Sequence, residues 1–99
     1  MERRRAWTFL SNHAHVVIAL AKDPTVRVRD LAVAVGITER AVAQILSDLE
    51  DAGVIRKERV GRRNVYTIDA TVPLRHPVEA HRTVADILTL ARRTRGREA

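Results

Sequence analysis

ITERAVAQILSDLEDAGVIRKERVGRRNVYTI, residues 37–68, carries two periodicities in succession. Through its first half Val42, Ile45, Leu46 and Leu49 stand at i, i+3, i+4 and i+7, one apolar face of a helix, and Thr38 is placed to cap its start. Gly53 follows where a left-handed residue closes a helix. The period then drops to two. VIRKER and NVYTID read as strands of about five residues joined by VGRR, with Tyr66 and Ile68 on one side, Val65 and Thr67 on the other, and Gly61 supplying the positive φ of a hairpin turn. A helix thus runs straight into a hairpin tipped by Arg62 and Arg63.

Upstream, Ser11 can cap a helix over 12–22 whose stripe is Val16, Val17, Leu20 and Ala21, and Asp23-Pro24 ends it. TVRV at 25–28 alternates polar and β-branched residues, which predicts a short strand added to a sheet edge. DLAVAVG at 30–36 predicts a short helix, with Asp30 as cap or first-turn acid and Gly36 at its close. The turn Gly36-Ile37-Thr38 then joins two helices as a helix-turn-helix. Downstream, TVPLRHP at 71–77 holds two prolines and is not helical, after which Val84, Ile87, Leu88 and Ala91 predict a long helix through 78–93. The expected fold class is mainly α with a small β-hairpin (α+β). The chain divides into a basic N-terminal segment (1–10), the helix-turn-helix with its hairpin (11–69), a Pro-containing connection (70–77), a C-terminal helix (78–93) and a basic tail (94–99).

With 99 residues, 45% of them hydrophobic, one core is the expectation. No apolar run approaches the ~20 residues of a membrane span, and the N-terminus lacks the apolar centre of a signal peptide. A cytoplasmic protein with no membrane partner is therefore expected. The absence of cysteine excludes thiol catalysis, disulfides and thiolate metal sites. Eighteen Lys plus Arg against twelve Asp plus Glu give a net charge of +6, which suits a polyanionic partner, nucleic acid first. The charge is unevenly placed, because basic residues crowd between Arg56 and Arg63 while Asp48, Glu50 and Asp51 sit just before them.

If Val42, Ile45, Leu46 and Leu49 are buried, the helical wheel turns Glu39, Arg40, Ala43, Gln44 and Ser47 outward. Gln pairs with adenine, Arg with guanine, Glu accepts from cytosine and Ala packs on a thymine methyl, all in the major groove of double-stranded DNA. Thr38 can place its hydroxyl and neighbouring amides on a phosphate. Any surface helix carries such residues, so the hairpin decides. A basic hairpin following a recognition helix reaches the flanking backbone or minor groove, where Arg is favoured. Arg62 and Arg63 would then lie on DNA, Asn64 on a phosphate or base edge, and Lys57 and Arg59 along the approach.

The stretch from Ile37 to Ile68 resembles the winged helix-turn-helix regulators of the MarR and ArsR type. Their pattern is a recognition helix ending in L-x-x-A-G-[LV]-[IV], then basic residues, a Gly-Arg wing tip and a return strand containing Tyr. The resemblance covers residues 12–69 and implies DNA contacts from Thr38, Glu39, Arg40, Ala43 and Gln44 and from Arg62 and Arg63. Ala41 and Ala43 stand where hydroxyl residues are often seen. It further implies a terminal dimerisation helix, with Trp7, Phe9, Leu10, Val84, Ile87, Leu88 and Ala91 as the candidate homodimer interface. Two recognition helices would then meet half-sites roughly 10 base pairs apart in a near-palindromic operator, repressing by occlusion. Two other readings stay open, a protein-interaction module with an acidic partner and a non-specific architectural DNA-binding protein.

Four histidines raise a metal reading, above all His76, Glu79 and His81, but Pro77 puts His76 at or before the helix start and few ligands are on offer. His13 and His15 point to different faces of one helix. No metal, cofactor or enzymatic activity is expected, since the chain has no Gly-rich phosphate loop and no nucleophile motif. The sequence names no small-molecule effector.

Overall fold

The computed structural model describes residues 6–92. Its elements in order are α1 (Asn12–Lys22), α2 (Val28–Val35), α3 (Glu39–Asp51), β1 (Ile55–Val60), β2 (Arg63–Ile68) and α4 (Val84–Leu88), which continues as a 3₁₀ turn over Thr89–Ala91. Ser11 caps α1 by accepting the Ala14 N–H, and Thr38 caps α3 by accepting that of Ala41. Each cap satisfies a donor that the first helical turn leaves without a backbone partner. Three of the four largest enclosed side chains, Leu20, Leu31 and Val42, come from three different helices, and Val16 is the fourth. Around them the expected faces of α1 and α3 close, with Val16, Val17, Val42, Ile45, Leu46 and Leu49 buried and Ala21 only half-buried.

The turn between α2 and α3 depends on Gly36, whose φ of +85° lets its own N–H and that of Ile37 both reach the Ala32 carbonyl. At the other end of α3 the Gly53 N–H bonds to the Glu50 carbonyl and the Val54 N–H to that of Leu49, a Schellman closure. Val54 and Ile55 are buried directly after it, so the core grips the corner from which the hairpin leaves.

β1 and β2 pair antiparallel from Ile55 opposite Ile68 to Val60 opposite Arg63. Only Gly61 and Arg62 are left in the turn, and Gly61 alone takes a positive φ (+64°), the pattern of a type II′ turn. Tyr66 and Ile68 face the core, as expected, and every residue of β1 after Ile55 is exposed. The hairpin projects from the body as a wing. The fold is a winged helix-turn-helix.

Two expected elements differ. TVRV forms no strand: Val28 already begins α2, and the one backbone–backbone hydrogen bond to the hairpin here is made by the residue before the segment, from Tyr66 N–H to the Pro24 carbonyl at 3.0 Å. Val26 and Val28 pack against the core without needing an extended ladder. Asp30 accordingly falls in the first turn of α2 and Arg27 takes the cap position. The long C-terminal helix is also absent over 78–83, where the chain makes turns, and residue 93 lies outside the described residues. Val78, 75% exposed, gives an earlier start no apolar anchor. Instead Pro73 and Thr83 form an antiparallel bridge, with Leu74 N–H to the Arg82 carbonyl and Val84 N–H to that of Val72. The helix begins only at Thr83, whose backbone N–H is accepted by Asp86 in a capping box.

Candidate nucleic-acid interface

The Thr38 cap and the first three turns of α3 set out the side chains read as base and phosphate contacts. Thr38, Glu39, Arg40, Ala43, Gln44 and Ser47 are all exposed. Arg40, Gln44 and Ser47 lie opposite the buried face, while Glu39 and Ala43 occupy one flank. The Thr38 hydroxyl oxygen accepts the Ala41 N–H, and its proton remains available to an incoming acceptor. The acids Glu50 and Asp51 are confined to the last turn of α3, away from this end.

Gln44 and Asp48 are bound to one another on this helix. The Gln44 side-chain amide donates to one Asp48 carboxylate oxygen at 2.9 Å, and the other carboxylate oxygen meets Nε2 of His13, on α1, at 2.8 Å. The His13 hydrogen bond, and after it that of Gln44, holds the Asp48 carboxyl below the usual carboxylate range. His13 and Asp48 line one wall of an open groove of about 980 Å³ that is also lined by Val17, Leu49, Val84, Phe9 and Arg75.

The two wing arginines have different settings. Arg62 lies in the turn and has no hydrogen-bond partner among the described residues, whereas Arg63 opens β2 and donates from Nη1 to the Thr25 carbonyl at 3.1 Å. That bond draws the hairpin to the connection between α1 and α2. Arg59 donates to the Gly61 carbonyl at 3.3 Å, steadying the turn, and Lys57 is exposed. Asn64 is half-buried on the same side of the hairpin as Tyr66, which makes it less accessible than Arg62. Burial pushes the Tyr66 phenol above its ordinary value.

Arg27 and Arg29 were not singled out in the sequence, yet both are exposed at the start of α2, beside the segment that Arg63 holds. Read as a strand, TVRV concealed that its arginine caps a helix. The cue was Asp30, a first-turn acid only if the helix begins ahead of it.

A family model described as a domain of unknown function, DUF7343, matches residues 9–69. The chain belongs to the DUF7343 family. The matched span runs from the approach to α1 to the end of the hairpin, the same unit that holds α3 and the wing together. The uncharacterized protein MJ1254 of Methanocaldococcus jannaschii is 34% identical to this chain over 71 residues, which are 69% of the chain and 15% of that much longer protein. Two solved structures share the architecture. A predicted DNA-binding transcriptional regulator from E. coli superposes with a TM-score of 0.54 at 23% identity, covering 78% of this chain and 70% of its own. The MarR family protein Rv2887 of Mycobacterium tuberculosis, solved in complex with salicylic acid, does so with a TM-score of 0.53 at 26% identity, covering 83% of this chain and 60% of its own. Both are similar to this DUF7343 chain in its fold.

The candidate dimer residues divide. Val84 is buried in the chain's own core, and Ile87 and Leu88 pack against that core half-buried, so Val84 is withdrawn from the set a partner could cover. Trp7 and Phe9 are 74% and 89% exposed and stack edge-to-face on each other with ring centroids 4.8 Å apart. Leu10 and Ala91 are half-buried. No group of three metal-ligating side chains comes together among the described residues. No helix among them is long and apolar enough to cross a membrane.

Proposed function

We propose that this chain is a sequence-specific DNA-binding transcriptional regulator that occupies a near-palindromic operator as a homodimer and represses by occluding a promoter. The observation that carries this reading is the exposed, polar N-terminal half of α3 beside a projecting basic wing. An interface for a protein would need apolar anchors on that face, and Ala43 is its one apolar side chain. The similarity to solved regulators, one called a predicted DNA-binding transcriptional regulator and the other a MarR family protein, supports the same class. In this reading Arg40, Gln44 and Glu39 discriminate bases in the major groove, Thr38 and Ser47 take backbone oxygens, and Arg27, Arg29, Lys57, Arg59, Arg62 and Arg63 neutralise phosphates.

The homodimer would bury Trp7, Phe9 and the half-exposed Leu90, apolar surface that a single chain leaves open to water. Two-fold symmetry would set two α3 helices about one DNA turn apart. Purified protein mixed with random genomic fragments, with the bound pool sequenced at two salt concentrations, tests the whole reading. A dyad motif that persists at the higher salt is the expected result. Binding that fades without an enriched motif would instead mark an architectural protein, and no binding at low salt would exclude DNA as the partner.

A further inference from the structure

We propose that Asp48, held in place by His13, is a positioning residue that presets the Gln44 amide for reading adenine. This inference rests on the DNA reading above and names a part of the apparatus that the exposed face of α3 does not itself display. Gln44 is the one outward side chain of α3 that carries a hydrogen-bond donor and an acceptor on two separate atoms, spaced to meet a single base edge. A free glutamine amide rotates and can present either end. Here the amide nitrogen is tied to Asp48 at 2.9 Å, which engages one of its two hydrogens and fixes which end is nitrogen. One hydrogen and Oε1 remain, the donor and acceptor that match N7 and N6 of adenine. Asp48 could not hold Gln44 if its own carboxylate swung freely. His13 prevents this from a different helix, meeting the second carboxylate oxygen at 2.8 Å across a separation of 35 residues. The ordering of Gln44 is thereby completed before DNA arrives, which removes it from the cost of binding.

A carboxylate on this face repels phosphate, and beyond its tie to His13 on α1 the Asp48 side chain hydrogen-bonds only Gln44 among the described residues. Its hydrogen-bond partners are one imidazole and one amide, and both oxygens are used. Removing the acid should therefore raise affinity for random DNA while blunting the choice of base, two effects of opposite sign that a loss of folding would not produce.

The test is selection from random DNA by wild type, Asp48→Ala, Asp48→Asn and His13→Ala, with the bound pools sequenced. Wild type should require adenine at one position of each half-site. Asp48→Ala should weaken that single preference by roughly tenfold while the other positions hold. His13→Ala should weaken it less, and Asp48→Asn, whose Oδ1 still accepts, should retain it. An adenine preference unchanged in Asp48→Ala, or a uniform loss at every position, overturns the proposal and leaves the DNA reading intact. A wild-type pool with no motif removes the DNA reading and this inference with it. Without DNA, the two Gln44 side-chain amide proton resonances should collapse toward those of a solvent-exposed glutamine on Asp48→Ala and shift less far on Asp48→Asn, where a weaker neutral hydrogen bond replaces the charge-assisted one. No shift in Asp48→Ala overturns the preset amide by itself.

Discussion

Arg62 and Arg63 are adjacent in sequence and equal in charge, and the structure predicts that replacing them will not have equal consequences. Arg62 touches no described hydrogen-bond partner, so Arg62→Ala should leave folding stability within about 0.5 kcal/mol of wild type. Each Arg–phosphate contact contributes about 0.9 to the slope of log affinity against log salt. At about 0.1 M salt, one contact is then worth about eightfold relative to 1 M. Counted over both halves of the proposed dimer, Arg62→Ala should lower the slope by about 1.8 and the affinity by about 60-fold. Arg63→Ala should show a similar slope change if its free guanidinium nitrogens meet phosphate, but it also loses the 3.1 Å bond to the Thr25 carbonyl. That bond stabilises the wing by about 0.5–1.5 kcal/mol, so this variant alone should melt earlier. Fluorescence anisotropy on a labelled duplex across a salt series gives the slopes, and thermal unfolding gives the stabilities. An Arg62→Ala protein with the wild-type slope would show that the wing tip does not reach DNA, and an Arg63→Ala protein with the wild-type melting temperature would refute the brace.

Three further outcomes follow from packing, backbone and charge. Leu31 is fully enclosed where α1, α2 and α3 meet, so Leu31→Ala should cost about 2–5 kcal/mol by chemical denaturation, and a loss under 1 kcal/mol would mean the core collapses around the gap. Gly53 has a φ of +77° and open space where a Cβ would sit, so Gly53→Ala should cost about 1–2 kcal/mol from backbone conformation alone, and an equally stable variant would argue against the left-handed cap. Asp48, Asp69 and Asp86 are all depressed below the ordinary aspartate value, Asp48 first by His13, Asp69 by the Thr71 hydroxyl and Asp86 by Arg82. A carboxylate more acidic in the folded chain stabilises it above the unfolded value of about 3.9, and that contribution is lost as pH falls through the folded value. The melting temperature should therefore fall below about pH 4. Replacing the three acids by Asn should flatten the fall, and an identical acid limb in the triple variant would place its cause elsewhere.

The sequence was legible where a local signal coincided with a buried face. Ser11 and Thr38 cap the helices they were read to cap, and the stripe Val42, Ile45, Leu46 and Leu49 is core. The hairpin followed from Gly61 and the alternation around Tyr66. TVRV misled because Val26 and Val28 reach the core whether the chain between them is extended or entering a helix, and four residues are too few to tell. The last helix misled for the opposite reason. Its stripe is right, but periodicity carries no start signal, and the Thr83–Asp86 capping box that supplies one lies inside the span assumed to be helical. Of the His13–Asp48–Gln44 chain, only the Gln44–Asp48 link lies at a spacing the sequence displays, i and i+4 on one helix, because the His13 link joins helices that only folding brings together.

The corner at Gly53 joins α3 to β1 through residues that are either hydrogen-bonded back to the helix or buried, and the Arg63–Thr25 bond closes the far side of the hairpin. Helix and wing are thus tied together at both sides, the arrangement of a caliper of fixed gauge. Such a tool tolerates a change of base far better than a change of phase. Inserting a single base pair inside a half-site rotates the flanking backbone by about 35° away from the wing. In the proposed homodimer each half-site should therefore be rigid in length even where its letters vary, and any latitude in operator spacing should collect at the centre, between the two protomers.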